Sequence, residues 1–356
     1  VLRASTTGQA LSPTNVVARQ TTRYGSNTVR PLQAGKATLF VQKSGRKVRE
    51  FAYDYAIDGF RAPSMVILSE HLTLGGIIDM DFQQEPHSIL WCARDDGALL
   101  GFTYDREQNE FGWCWAQLGG TSTYEGLPAA VESVACIPAP DGSYDELWLV
   151  VRRYINGQTV RYIEYMTKFW EDGDDQAEAC YFDCAATYNN PGVPVSTITS
   201  GLDHLKNATV SVMVDGAEHP NVTVSNTGAL ALELAGEIIQ VGFGYESKGK
   251  LLRFDAGSAN GSAQGKIQRI HKVVFRLFQS LNLKVGPDFD NLDDVAETYR
   301  TLGDNLGEAP ALFTGDAEVS FAGDYSTQAE ICWKFDGPFP GSVLLVAPQM
   351  DTIDNV

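Results

Sequence analysis

The stretch LWCARDDGALLGFTYDREQNEFGWCWAQ, residues 90–117, predicts three consecutive β-strands and sets the fold class. An apolar run ends at a turn over residues 94–97, a second run returns over 98–104, and an aromatic third covers 111–116. The Asp96-Gly97 pair between apolar runs is a strong hairpin signal, typical of a type I′ turn in which both central residues have positive φ. Aromatic residues spaced by two share one face of a strand.

Two other parts of the chain repeat this pattern. Each copy begins with Leu and an aromatic residue and continues through a basic residue and a turn glycine to a return strand; the three starts are Leu39-Phe40, Leu90-Trp91 and Leu147-Trp148. The copies recur at intervals of roughly 50–60 residues, slightly longer than the roughly 40–50 of many propeller blades. We therefore predict a mainly β fold of propeller-like antiparallel sheets, partial because the N-terminal part is expected to be missing.

The rest of the 356-residue chain divides into three parts. Residues 1–196 are predicted to form the propeller-like blades, with one helix within 62–76 for which Ser64 is the candidate cap and which Gly75-Gly76 ends. Five short strands with turn residues between them predict a small inserted β-barrel over residues 197–255. Residues 256–356 return to longer strands that complete the propeller-like or platform domain, and residues 257–262 are predicted to be a flexible loop.

Charge and hydropathy argue against two classes of protein. The formal net charge is −18, which argues against a nucleic-acid reader because such proteins need a basic face. No apolar run approaches the roughly 18 residues of a membrane-spanning helix. The chain starts without Met or a signal sequence, so we expect it to begin inside a longer polypeptide.

The sequence offers no catalytic, cofactor or metal site. The carboxylates Asp95, Asp96, Asp105 and Glu107 cluster, but their turns explain them. The acidic residues 288–294 lack the glycine and closing glutamate of a calcium loop. The six cysteines and five histidines form no zinc or catalytic pattern, so we predict buried reduced thiols. Of the pair Arg152-Arg153, one is predicted to pair with Glu164.

Short motifs lie along nearly the whole chain: LFVQKSGRKVRE (39–50), LWCARDDG (90–97), TYDREQ (103–108), ELW (146–148), VRR (151–153), RYIE (161–164), GLDHL (201–205), VDG (214–216), HP (219–220), GK (265–266), KVGP (284–287) and LFTGD (312–316). In their order and spacing, these motifs resemble the tail nozzle, or tail tubular, proteins of short-tailed bacteriophages. The segment from residue 201 resembles an insert likened to the first catalytic-cysteine half-domain of ubiquitin-activating enzymes.

The resemblance implies a structural virion protein, made in the bacterial cytoplasm, and not an enzyme. It implies a homohexameric ring at the end of a tail that retains and ejects DNA, which passes without specific binding. Expected partners are adaptor and portal proteins and tail fibres or a needle. Two basic groups are candidate assembly surfaces: Arg46, Lys47 and Arg49, and Lys266, Arg269 and Lys272.

Two other classes of protein stay open. A carbohydrate-binding β-propeller or tail-tip lectin would need its tryptophans exposed, whereas their place in apolar strands predicts a core position for Trp91, Trp113, Trp115 and Trp148. A glycan hydrolase would need two carboxylates about 5–10 Å apart in a cleft.

Overall fold

The computed structural model describes residues 2–4, 10, 12–18, 20–255, 261–262, 264–301, 305, 307–321 and 323–353. These residues form 26 strands, two short 3-10 helices and no α-helix, which confirms the predicted mainly β fold. Most of the loop predicted over residues 257–262 lies outside the described residues. No helix in the described ranges is long and apolar enough to cross a membrane. The chain forms two compact units, Val1–Tyr154 with Thr159–Phe169, and Ile155–Gln158 with Trp170–Val356.

The first unit contains one strand pair and three sheets whose strands follow chain order. Sheet 1 is β3–β6, sheet 2 is β7–β10 and sheet 3 is β11–β13. This propeller-like order agrees with the predicted repeat, because Phe40, Trp91 and Trp148 each lie in the second strand of their sheet. The bounds are β1 Leu2–Ala4, β2 Val16–Ala18, β3 Leu32–Ala34, β4 Ala37–Val41, β5 Val48–Asp54, β6 Gly59–Arg61, β7 Ile77–Gln83, β8 Ile89–Arg94, β9 Leu99–Asp105, β10 Glu110–Ala116, β11 Ala130–Pro138, β12 Asp145–Ile155 and β13 Gln158–Tyr165.

Two cores hold the three sheets together. Sheets 1 and 2 share a core of aliphatic and aromatic side chains that includes Val41, Val48, Leu90 and Phe102. Sheets 2 and 3 share a second core, and because neighbouring strand residues point to opposite faces, it takes Trp91 from the other side of β8. Sheet 2 is therefore covered on both faces.

The second unit consists of the remaining four sheets, ordered β14-β19-β16-β17, β15-β18, β20-β25-β22-β23 and β24-β21-β26. Strand β14 precedes residue 197 and β15 crosses it, and they pair with β19 and β18 of the predicted barrel segment. The division at residues 197 and 255 stays a prediction. The bounds are β14 Asp183–Asn189, β15 Val195–Ile198, η1 Asp203–Leu205, β16 Thr209–Val214, β17 Ala217–Thr223, β18 Leu230–Gly236, β19 Ile238–Phe243, β20 Ser247–Lys250, β21 Ile267–Ser280, β22 Leu283–Gly286, β23 Asp293–Asp294, η2 Ala296–Thr298, β24 Phe313–Ser320, β25 Cys332–Phe335 and β26 Ser342–Ile353.

Two local predictions are wrong. The segment predicted as a helix at 62–76 forms successive turns and one isolated bridge between Ser64 and Arg49. The β8–β9 hairpin is not type I′, because only Gly97 has positive φ, at 89°, while Asp96 does not. The amide of Gly97 instead donates to the Arg94 carbonyl at 2.9 Å, which closes a β-turn over residues 94–97. The last residue of this turn, Gly97, has the left-handed backbone conformation.

Candidate protein interface and exposed aromatic residues

One end of the first unit gathers two hairpin tips and the connection between sheets 1 and 2. We call this the connector-end surface: residues 43–47, 62–76 and 94–97. The amide of Ile77 donates to the Gly45 carbonyl at 2.8 Å, and the amide of Asp95 donates to the Gly76 carbonyl at 3.0 Å. These backbone bonds tie the connection between the two tips.

Contacts with sheet 2 fix the shape of the connection. The Trp113 indole Nε1 donates to the Met65 carbonyl at 2.8 Å, and the Arg94 guanidinium donates to the Leu72 carbonyl. Val66 is fully buried in the core of sheets 1 and 2. The Met65 and Leu72 carbonyls thus accept hydrogen bonds from side chains of sheet 2 and not only from amides of their own segment. These contacts explain why the segment is not a helix.

The same surface exposes apolar side chains beside basic ones. Leu68 is 93% exposed, and Ile67 and Leu74 are also exposed. Arg46 is exposed at the β4–β5 tip, while Lys47 donates to Glu70 at 2.7 Å. Apolar residues with charged neighbours on a fixed backbone are typical of a protein interface.

Arg49, predicted in the same group, does not belong to this surface. It is buried, and its guanidinium donates to the Gln42 Oε1 at 2.7 Å and to the Ala62 carbonyl at 2.6 Å. Its Cζ also lies 3.4 Å from the ring centroid of Tyr24. These contacts give Arg49 a structural role in sheet 1, so a charge reversal there would unfold the sheet.

The second predicted basic group lies in the second unit, at the start of β21. Arg269 is exposed with its guanidinium 5.3 Å from the ring centroid of Tyr325, and Lys272 pairs with Glu318 across to β24. Lys266 is partly buried. Their role as an assembly surface stays a prediction.

The tryptophans differ in burial. Trp91 is buried, as predicted, and its Nε1 donates to the Gln83 Oε1 at 2.9 Å. Trp113 is half-buried and stacks on Phe102 with 4.5 Å between centroids. Trp148 is also half-buried. Trp115 is 55% exposed, so its predicted core position is wrong, and the Arg94 guanidinium lies 5.8 Å from its ring centroid.

The carboxylates of the central hairpins have structural partners. Asp96 pairs with Arg94, and this hydrogen bond lowers the pKa of Asp96. The Asp105 carboxylate accepts the amides of Glu107 at 2.9 Å and Gln108 at 3.0 Å, as expected for a turn. These bonds agree with the turn roles that the sequence indicated.

The thiols differ in burial: Cys92, Cys184 and Cys332 are buried as predicted, whereas Cys114 is exposed and its predicted burial is wrong. Burial, aided by Asp81 and Asp145, raises the pKa of Cys136 to about 12, and burial also raises the pKa of Cys92. Such thiols are poor nucleophiles at neutral pH. Among the described residues, no group of three or more His, Cys, Asp or Glu is arranged to hold a metal ion.

A pair of carboxylates in the second unit was not found from the sequence. Partial burial, and then the nearby Asp336, raise the pKa of Glu218 in β17. Asp336 itself bonds to Lys284 at 2.9 Å, and Lys284 also lies 3.7 Å from Asp294. No sequence pattern joins residues so far apart in the chain. Structural ion-pair networks raise carboxyl pKa values as catalytic sites do, so the raised pKa of Glu218 does not by itself indicate catalysis.

Comparisons with known proteins identify no family. No family model and no curated protein matches the chain. Among solved structures, the chain is similar to a Bacteroides ovatus protein described as Xyloglucan PUL GH43B, with 11% identity, a TM-score of 0.22 and coverage of 89% of this chain and 76% of that one. It is also similar to an exo-β-1,3-galactanase from Phanerochaete chrysosporium bound to β-1,3-galactotriose, with 10% identity, a TM-score of 0.23 and coverage of 91% and 94%.

These neighbours are carbohydrate-active proteins, and none is a phage tail protein. They contradict the prediction that the chain is not an enzyme, and we withdraw that prediction. They agree better with the glycan alternative than with a nozzle. TM-scores of 0.22 and 0.23 are too low to assign an activity, so the function is argued from the chain's own residues.

Proposed function

We propose that the chain is a structural virion protein that forms the nozzle ring of a short phage tail. The sequence resemblance supports this proposal, and the connector-end surface is the structural observation that carries it. Its exposed Ile67 and Leu68 would remain in water in an isolated copy, whereas a partner would remove their apolar area from water. We assign this surface to the adaptor ring above the nozzle.

The connector-end surface is suited to docking because its backbone is already ordered. Bonds from Trp113 and Arg94 hold the connection, so binding orders only side chains. A pre-organised surface loses less conformational entropy on association than a flexible loop does. This favours a stable attachment site.

Charge gives the partner's chemistry. The chain carries a net charge of −18, but Lys43 and Arg46 are exposed at this surface. The same surface exposes Asp95 and Asp96 at the β8–β9 tip, so its two hairpin tips differ in charge. The adaptor face is therefore expected to place acidic groups opposite Lys43 and Arg46 and basic groups opposite the two aspartates.

The test is the assembly state of the purified chain and its attachment to particles that lack it. We expect native mass spectrometry and electron microscopy to show a hexameric ring. Leu68→Asp should keep the ring mass but fail to restore infectivity to the particles. Leu252→Asp is the matched control, since Leu252 is 90% exposed elsewhere. A wild-type chain that stays monomeric at all concentrations would contradict the proposal.

DNA binding provides a separate test of the channel function. Phosphate contacts supply nearly all non-specific affinity, and acidic residues outnumber basic ones by 45 to 27. We expect negligible binding to linear duplex at physiological salt in a filter or anisotropy assay. Tight, salt-sensitive binding that Arg46→Glu abolishes would instead indicate a protein that grips DNA.

Trp115 supports a second candidate function, carbohydrate binding. Its indole is exposed on the edge strand β10, beside the Arg94 guanidinium, which bonds to Asp96 and to the Leu72 carbonyl. An exposed aromatic ring is a suitable platform for a sugar ring. Trp115→Ala should abolish binding in a glycan array, whereas Tyr124→Ala, at another exposed aromatic residue, should not. Absence of wild-type binding across the array would remove this candidate.

A further inference from the structure

Sheets 1, 2 and 3 stack in that order through their two shared cores. Sheet 2 is covered on both faces, and sheet 3 turns one face outwards. Sheet 1 turns outwards the part of its second face around Tyr53, because Tyr24 lies over Arg49 on the rest of that face. We call these the outer face of sheet 1 and the outer face of sheet 3. Large apolar side chains are exposed on or beside both.

The repeated sequence pattern indicates that the outer face of sheet 3 is suited to packing against another sheet. Trp91 of β8 points away from sheet 1 and enters the core shared with sheet 3. Trp148 holds the corresponding position in β12 and points away from sheet 2, because its neighbours Leu147 and Leu149 face that core. Its face therefore corresponds to one that already packs against another sheet.

The outer face of sheet 3 has the composition of a sheet interface. Trp148 stacks on Tyr165 with 5.2 Å between centroids and an interplanar angle of 27°. Ile163, two residues before Tyr165 on the same side of β13, is 73% exposed. Aromatic residues of this kind are enriched at the centres of protein interfaces.

The charges on this face pair with one another. The Glu132 carboxylate lies 2.6 Å from Arg161 and 3.4 Å from Arg152, and its hydrogen bond with Arg161 lowers its pKa. Glu146 accepts the Trp148 Nε1 at 2.9 Å. Two arginines and two glutamates leave the face near neutral on a chain of net charge −18. A second copy can therefore approach here without the repulsion expected elsewhere.

The outer face of sheet 1 offers a matching aromatic surface. Phe51 and Phe60 stack with 4.8 Å between centroids, and Tyr53 meets Phe60 edge-on at 5.5 Å. At the adjoining β5–β6 turn, Tyr55 is 91% exposed and Ile57 is also exposed.

We propose that the outer face of sheet 3 in one copy packs against the outer face of sheet 1 in the next copy. This proposal rests on the ring-forming function above and names its subunit contact. This contact between two copies would repeat the sheet-on-sheet packing that joins sheets 1, 2 and 3 within one copy. Because it joins two different faces, it is head-to-tail, and such contacts close into a ring when the rotation permits.

The test blocks one face at a time. Ile163→Glu blocks sheet 3 and Tyr55→Glu with Ile57→Glu blocks sheet 1; both change exposed residues and should leave the melting temperature within about 5 °C of wild type. Native mass spectrometry should show a ring for the wild type and monomers for each variant alone. An equimolar mixture should give a one-to-one heterodimer through the two intact faces. Tyr165→Ser provides a second sheet 3 variant should Ile163→Glu fold poorly.

The outcomes separate the two proposals. Rings from the wild type and from both single-face variants would overturn this contact and leave the nozzle proposal standing. Homodimers of the sheet 1 variant alone would show that sheet 3 pairs with itself, which also overturns it. A monomeric wild type would overturn both. Leu252→Asp should assemble as the wild type does.

Discussion

The phenol of Tyr104 in sheet 2 donates a 2.9 Å hydrogen bond to the Oε2 of Glu50 in sheet 1. Arg106 lies 3.3 Å from the other oxygen of the same carboxylate. Glu50 is buried, and these two donors replace hydrogen bonds that its carboxylate would make with water. Burial, and then the bond to Glu50, raise the pKa of Tyr104, which keeps the phenol a donor at neutral pH.

Loss of the Tyr104 hydroxyl should weaken the packing of sheets 1 and 2. Hydrogen bonds to charged groups contribute about 1.5–3 kcal/mol, and the buried carboxylate would lose one donor. We expect Tyr104→Phe to lower the free energy of unfolding by that amount in urea titrations. Tyr124→Phe, at an exposed tyrosine, should change it by less than about 0.5 kcal/mol. Equal effects of the two variants would contradict a role for this bond.

The sequence predicted the strands around this contact well, because their signals are local. Turn glycines, together with apolar runs of strand length, located β8, β9, β10 and β12 within one or two residues and β13 within three. The ion pair of Arg153 with Glu164 was also predictable, since a hairpin places the two close together.

Features set by distant residues could not be predicted. The connection at 62–76 has helix-compatible residues, but Trp113 and Arg94 take its carbonyls. The burial of Arg49 depends on Gln42, Ala62 and Tyr24 and changed one member of the predicted interface into a structural residue. Strand periodicity shows which residues share a face, but not which face another sheet covers.

Substitution of the buried Arg153 tests how strongly the stability of sheet 3 depends on its ion pair with Glu164. Arg153 is fully buried and donates to Glu164 through its Nε at 2.5 Å and its Nη2 at 2.7 Å, and through Nη1 to the Gly119 carbonyl at 2.6 Å. Lysine cannot reproduce this planar, three-bond arrangement. We expect Arg153→Lys to cost on the order of 3 kcal/mol of unfolding free energy.

The matched control for Arg153 is Arg161, which pairs with Glu132 in solvent through two bonds of 2.6 and 3.1 Å. Exposed pairs contribute about 0–1 kcal/mol, so Arg161→Lys should change the unfolding free energy by no more than that. Both measurements use the same denaturant titration at low protein concentration. A tolerated Arg153→Lys would show that the buried fork is dispensable.

The raised pKa of Glu218 predicts that the stability of the second unit depends on pH. Burial and Asp336 raise its folded pKa, so the folded state favours the protonated carboxyl. The stabilising contribution is present below the unfolded pKa of about 4.3 and is lost as the pH rises through the folded value. Glu218→Gln should therefore raise the melting temperature at pH 7 and leave it unchanged near pH 4. The group is half-exposed, so the gain should stay below about 1 kcal/mol. A gain that persists at pH 4 would indicate another cause.

The packing of sheet 2 on sheet 3 depends on the absence of a side chain at Gly97. Its φ is +89°, and a Cβ there would lie 2.4 Å from the Cβ of Ala130. Gly97→Ala should therefore cost about 1–2 kcal/mol for the left-handed backbone and a further 1–3 kcal/mol for the clash. Gly157→Ala, with φ of +74° and no atom within 4 Å, should show the backbone cost alone. In a double-mutant cycle read by urea unfolding, Ala130→Gly should recover the part of the clash that comes from the Ala130 Cβ, while the Ala130 Cα would still lie 2.8 Å away. Strictly additive effects of Gly97→Ala and Ala130→Gly would show that the two residues do not meet.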